Sequence, residues 1–259
     1  MIKPIKRIVA SEKDVQQLNG RGQTAARQNE QPIDYRDRVV IKPWGYEFLV
    51  FDNGHVAIWF LHIRKDHATS MHCHPSKKTA LTLLSGKALC NTFRSRNFLN
   101  PSDTVIIDPA VFHSTKALSP DGICLVEVES PPGKLDLVRL EDNYGREGCG
   151  YEGCSQMVTD DLEAFHHFYF DEAAGDAQSF GNDNLFHISL HIYGSAKIFR
   201  DGFNPKAGEL YCVCRGVIQN GAHETVIDVG EIERGGFLQQ QGRLDVPGET
   251  VLMRFSMYT

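Results

Sequence analysis

From about residue 38 onward, short apolar runs alternate with turn-forming residues: "RVVIKPWGYEFLVF", "DNG", "HVAIWFLHI", "KDHATS", "ALTLLSG", "KALCNTF", "DTVIID", "ICLVEVES" and "PPG". Runs this short, closely spaced and separated by Gly, Pro, Asn and Asp, predict the strands of an all-β sandwich or barrel. Residues 1–37 are polar, with a weak helical pattern around "NGRGQ", and predict an N-terminal arm carrying one short helix. Beyond residue 131 the pattern loosens. There "TDDLEAFHHFYFDEAAGD" predicts a helix, with Thr159 or Asp160 as its cap and acids in its first turn. Strands resume at "NLFHISLHIYGSAKIF" and continue through "ELYCVCRGVIQ", "HETVIDVGEIERGGFLQQ" and "ETVLMRFSMY". In the first of these, Phe186, Ile188, Leu190 and Ile192 alternate with His187, Ser189, His191 and Tyr193, the mark of a half-buried strand. His187 and His191 are therefore read as polar-face residues, not ligands. The pattern as a whole predicts two β-domains in tandem: 38–146 and 183–259, joined by a linker over 147–182 with one helix.

Composition narrows the class without changing this picture. A chain of 259 residues accommodates two small cores, and 41% hydrophobic with 23% charged residues is ordinary for a globular protein. The formal charge is −6 and no Lys/Arg run or basic stripe is present, which gives no support for nucleic-acid binding. The opening "MIKPIKRIVASEKDVQQLNG" lacks the apolar core of about 7–15 residues that a signal peptide needs. Nor is there an apolar span of about 18 residues, so no membrane contact is expected and a cytoplasmic location is the default. The seven cysteines are odd in number and follow no zinc spacing, so they are read as free thiols.

The chemistry concentrates in "SMHCHPSKKTALTLLSG", residues 70–86. His72 and His74 lie at i and i+2, on one face of a strand, while Cys73 points to the other. His113, after "TVIIDPAVF", is placed to join them from an adjacent strand. Three neutral imidazoles suit one divalent transition metal (Zn, Fe, Ni or Mn), and an open fourth position suits catalysis. Lys77 and Lys78 beside them favour an anionic substrate group.

This constellation resembles the cupin family. The first cupin motif, G-x5-H-x-H-x3,4-E-x6-G, is matched by His72, His74 and Gly86, with Asp66 at the first glycine and Thr79 at the glutamate. The second, G-x5-P-x-G-x2-H, is matched by His113, with Ser102, Asp108 and Ala110 at the glycine, proline and glycine. The resemblance implies two cupin-type barrels, the second degenerate, since Gly202 and Asn204 stand where its H-x-H should fall. It also implies pairing through sheet edges into a homodimer. "KPWGYE" at 42–47 and "LVEVESPPGKLDLVRLEDNYGR" at 125–146 further resemble the cupin domain of bifunctional-type mannose-6-phosphate isomerases, over roughly residues 38–146. That likeness implies a metal-dependent isomerase or epimerase acting on a small anionic sugar phosphate or nucleotide sugar for surface polysaccharides.

Under that resemblance Arg146 closes the family's "EDxYGR" and is a candidate for phosphate, with Glu141 and Asp142 as paired acids holding the loop or pairing with Arg139. Trp44 is a candidate for stacking on a sugar ring. The proton-transferring base is sought at Glu127 or Glu129, which share one face of "ICLVEVES"; alternation leaves open which face is inward. The loss of the glutamate at Thr79 keeps two other readings in play, a three-histidine non-haem iron dioxygenase and a non-catalytic sugar-binding cupin.

Overall fold

The computed structural model describes residues 5–21, 33–176, 178–182 and 184–258. Two parts of the predicted N-terminal arm, residues 1–4 and 22–32, lie outside them. The first barrel is built from β1 (Lys6–Ile8), β2 (Val39–Lys42), β3 (Gly45–Asp52), β4 (Ala57–Ile63), β5 (Met71–Cys73), β6 (Lys78–Ser85), β7 (Ala88–Thr92), β8 (Arg96–Leu99), β9 (Thr104–Ile107), β10 (His113–Ala117), β11 (Ile123–Ser130), β12 (Val138–Glu141) and β13 (Met157–Val158). They form an eight-stranded sheet, β1-β9-β6-β11-β4-β3-β2-β13, facing a five-stranded sheet, β12-β5-β10-β7-β8. The second barrel uses β14 (Gln178–Asn182), β15 (Phe186–Tyr193), β16 (Leu210–Arg215), β17 (Ile218–Asn220), β18 (Thr225–Ile227), β19 (Ile232–Arg234), β20 (Leu244–Asp245) and β21 (Thr250–Met257). Its sheets run β14-β15-β21-β16-β19 and β18-β17-β20. The architecture is thus all-β, two barrels in tandem. No helix among the described residues is long and apolar enough to cross a membrane.

Period-2 alternation sorts the side chains of the large sheet into two cores. Inward, Leu49, Trp59, Leu61, Leu81 and Leu125 fill the first barrel. Outward, Phe48, Ile58, Phe60, Ala80, Val126 and Val128 pack against Phe186, Ile188, Leu190, Cys212, Met253 and Phe255 of the second. The two barrels therefore share one continuous apolar layer, sheet against sheet. At its edge Lys78 Nζ meets Glu231 at 3.1 Å and Arg234 donates to the Ser102 carbonyl at 2.8 Å. Gly230 (φ +73°) comes so close to the end of β11 that an added Cβ would lie 2.4 Å from Ser130 Cβ. A separate interior made of Phe199, Tyr211, Val213, Ile218, Ile227 and Leu252 fills the second barrel.

Three local findings refine the sequence reading. The N-terminal helix exists, α1 (Glu12–Arg21), with Ser11 and Asp14 bonding reciprocally at its start as in a capping box. Asp14 also accepts a 2.8 Å bond from the Phe112 amide, next to His113, and β1 adds a parallel edge to β9. The predicted helix after residue 158 does not form. Its sequence breaks into short 3₁₀ turns, Leu162–Phe165 and Glu172–Ala174, with Asp161 and His166 both left-handed and no side-chain cap at the first turn. His167 and Phe168 lie instead against Phe48, with Phe168 also stacked on Phe180, so aromatic packing overrides the helical periodicity. Finally, the residues standing at three motif-glycine positions, Asp66, Ser102 and Ala110, keep the glycine conformation, with φ of 63°, 71° and 66°. Although the side chains differ, the turns are retained.

Candidate metal centre and its charged cavity

His72 on β5 and His113 on β10 are direct register partners in antiparallel strands. His74 follows at the end of β5, and one ring nitrogen from each of the three histidines lies within 4.8 Å of the other two. Alternation sends the intervening Cys73, and Phe112 before His113, to the opposite face, where they are buried together. Each imidazole is oriented by its Nδ1. That of His72 bonds the Ser70 carbonyl at 2.8 Å, that of His74 the Asp136 carbonyl at 2.7 Å, and that of His113 the Val111 carbonyl at 3.0 Å. A carbonyl can only accept, so each Nδ1 carries the hydrogen and each Nε2 is left with a lone pair. Burial, helped by the neighbouring imidazoles, holds His72 well below the ordinary histidine range and His113 down at about 4. His74 Nε2 is buried with no hydrogen-bond partner among the described residues. Neutral His72 and His113 rings, clustered ring nitrogens and an orphaned nitrogen on His74 fit a divalent metal ion.

The carboxylates come from β11. Both Glu127 and Glu129 face inward, so the choice between them left by the sequence does not arise. Thr79 is buried, and its hydroxyl has no partner among the described residues. Glu129 is its register partner on β11, and Glu127 is the partner of Leu81. Glu127 Oε1 lies 3.6 Å from His74 Nε2. Glu129 Oε1 is held between Lys77 Nζ at 2.8 Å and Lys134 Nζ at 3.0 Å. Burial pushes both carboxyls up, but His74 and the nearby lysines outweigh it at Glu127, and Lys134 and Lys77 outweigh it at Glu129, so both are held in the ionised form.

A cavity opens beside this group, with about 50 Å³ of interior space and about 450 Å³ when its mouth is counted. The interior alone suits a few waters, at about 10–15 Å³ each. His72, His74, Glu127, Glu129, Lys77 and Trp44 line it, as does Arg146. The structure gives three of the sequence-assigned groups definite partners. Lys78 points to the other face of β6 and pairs with Glu231, away from the cavity. Arg146 is engaged by Asp142, at 3.0 and 2.8 Å, and by Glu152, at 2.6 Å, so its guanidinium is already occupied by protein carboxylates. Arg139 pairs with Glu152 at 3.0 Å, while Asp142 holds its loop by accepting from the Tyr144 and Arg146 amides at 3.2 and 2.9 Å.

The wall also contains residues that the sequence reading missed. Lys134 Nζ sits 3.7 Å over the Trp59 ring, and Lys42 Nζ 3.8 Å over Tyr151. Lys42 also pairs with Glu47 at 3.3 Å and with Glu152, and Tyr151 donates to Glu47. Burial, then Glu47, raises the Tyr151 phenol well above its usual range, so it stays protonated. A signal for two of these is present in the strands. Lys42 in "VVIKP" and Glu47 in "GYEFLVF" interrupt apolar runs, and a charge at such a position is costly unless it is paired. A smaller recess of about 10 Å³ is lined by Leu61, Leu81 and Leu125 together with His72, His113 and Glu127.

No family model and no curated protein matches the chain. Among solved structures it is similar to KdgF from Halomonas sp., at 14% identity, TM-score 0.34, over 41% of this chain and 93% of that one. It is also similar to the capsular polysaccharide assembling protein CapF from Staphylococcus aureus, at 13% identity, TM-score 0.37, over 40% of this chain and 34% of that one. A third is an uncharacterized conserved protein with a double-stranded β-helix domain from Klebsiella pneumoniae, at 18% identity, TM-score 0.35, over 46% of this chain and 96% of that one. Each match spans less than half of this chain.

Proposed function

We propose that the first barrel is a metal-dependent enzyme acting on a small dianionic sugar derivative, by isomerisation or epimerisation. The observation that carries this reading is the charge balance of the cavity. Five basic side chains line it, Lys42, Lys77, Lys134, Arg139 and Arg146, together with three acids, Glu47, Glu127 and Glu129. Glu152 and Asp142, paired directly to the arginines behind the wall, bring the acids level with the bases. A divalent ion on His72, His74 and His113 leaves the buried site two charges positive, and a buried charge is stable only when compensated. A ligand with two negative charges, such as a phosphate monoester, restores neutrality. The resemblance of residues 38–146 to sugar-phosphate isomerase cupins supports the same class.

The metal, when bound, polarises a substrate carbonyl or hydroxyl oxygen. The chain's own part is to place a proton acceptor beside it. Glu129 suits that role, because Lys77 and Lys134 keep it ionised through Oε1 while Oε2 is buried with no partner among the described residues. Trp44, Leu61 and Leu137 supply the apolar wall. The test is deuterium incorporation at C2 of aldose and ketose phosphates in D₂O by protein loaded with Zn²⁺, Fe²⁺, Ni²⁺ or Mn²⁺. Exchange is expected with at least one metal and is lost in Glu129→Gln; no exchange with any of them overturns the reading. The dioxygenase alternative keeps one observation in its favour, the small leucine-lined recess beside the histidines, and oxygen uptake by Fe²⁺-loaded protein is its sign.

A further inference from the structure

Glu127 is a buried carboxylate with an unusual neighbour. Its one partner at ion-pair range among the described residues is His74 Nε2, 3.6 Å away, and no hydrogen-bond donor reaches it at normal distance. Because His74 Nδ1 carries the hydrogen given to the Asp136 carbonyl, Nε2 is an acceptor in the neutral ring. An ionised carboxylate is also only an acceptor. Two acceptors facing each other in a buried site repel, unless a cation lies between them. Bonds of about 2.0–2.2 Å to one metal place two ligand atoms about 3–3.5 Å apart. The observed separation is within a few tenths of an ångström of that span. Glu127 also lines both the charged cavity and the small recess, and His72 lines both with it.

From this geometry we infer that Glu127 is the fourth protein ligand of the metal centre, supplied from β11 in place of the missing carboxylate at Thr79. This rests on the metal-centre reading above. Glu129, directly opposite Thr79 in register, is the nearer replacement in sequence terms, but its Oε1 is held by Lys77 and Lys134, and among the described residues the carboxylate paired with an imidazole of the centre is that of Glu127. A division of labour follows in which Glu127 binds the ion and Glu129 faces the substrate. The rival arrangement is a protonated His74 paired with Glu127 and a centre of three histidines alone.

The experiment compares wild type, Glu127→Gln, Glu127→Asp and Glu129→Gln, each first shown to be folded by circular dichroism. Two quantities are read, the affinity for Zn²⁺ by chelator competition and the visible absorption of the Co²⁺-loaded protein. Losing even a partner of a ligand commonly costs about 10–100-fold in metal affinity. Glu127→Gln is therefore expected to weaken Zn²⁺ binding at least about tenfold and to shift the Co²⁺ bands, with Glu129→Gln close to wild type in both. Glu127→Asp, which keeps the carboxylate but shortens its reach, supplies the comparison if Glu127→Gln is unfolded, and it too is expected to weaken binding. Wild-type affinity and an unchanged Co²⁺ spectrum in the folded Glu127 variants overturn the assignment and leave a three-histidine centre. Wild-type protein that binds neither ion overturns the metal-centre reading itself.

Discussion

Glu152 shows how single residues hold the cavity wall. It lies among Lys42, Arg139 and Arg146. Burial pushes its carboxyl up, but these cations more than offset that and hold it at about 2. In an unfolded chain the same group titrates in the ordinary range, near 4.5. A carboxyl lowered by folding stabilises the protein above its unfolded value and loses that contribution as pH falls toward the folded one. Stability is thus expected to decline from about pH 4.5 down to about pH 2, by on the order of 2–3 kcal/mol from this group. Glu152→Gln should flatten that part of a urea-unfolding pH profile; an unchanged acid limb would show that Glu152 is not the titrating group. The three histidines were legible in the sequence because a strand of alternating faces needs only two of them to set a direction. Lys134, Tyr151 and Glu152 were not, since they come to the cavity or to the back of its wall from loops whose course depends on tertiary packing. The partners of Arg146 were not legible for a related reason: a motif shows which residue is present, but its carboxylate partners are fixed only by the folded loop.

At the scale of elements, the strands were read more faithfully than the one helix assigned within 147–182. Alternation is a local signal that the sheet preserves, whereas "TDDLEAFHHFYFDEAAGD" offers a helical face that the aromatic layer claims for another purpose. The turns behaved in a third way. Ala110, between Asp108 and His113, holds φ at +66° and donates its amide to the His74 carbonyl at 2.8 Å. An L-residue there carries strain of about 1–2 kcal/mol, which glycine does not. Ala110→Gly relieves that strain while giving the unfolded chain more freedom, so a net gain of about 0.5–1 kcal/mol is expected, read as a higher urea midpoint with an unchanged slope. A lower midpoint would mean that the methyl group does more by packing than it costs in conformation.

At the scale of the molecule, the shared apolar layer couples the two barrels. Val126 and Val128 face the second barrel from the same strand that turns Glu127 and Glu129 toward the cavity. A large apolar contact of this kind joins domains that would otherwise unfold separately. One cooperative thermal transition is expected, with calorimetric and van't Hoff enthalpies in agreement, and two resolved transitions would refute the coupling. Substituting Ile188, fully buried in that layer, by Ala should lower that single transition as a whole, through a loss of about 2–5 kcal/mol.

The sheet-against-sheet layer has one further consequence. A barrel that borrows its covering surface from a second molecule is subject to mass action, and its outer face is uncovered when the protein is scarce. Here the cover is carried on the same chain, so its association is unimolecular. The strand bearing the two carboxylates keeps its backing at any dilution, and the second barrel, without an H-x-H pair of its own, still serves the first as its cover.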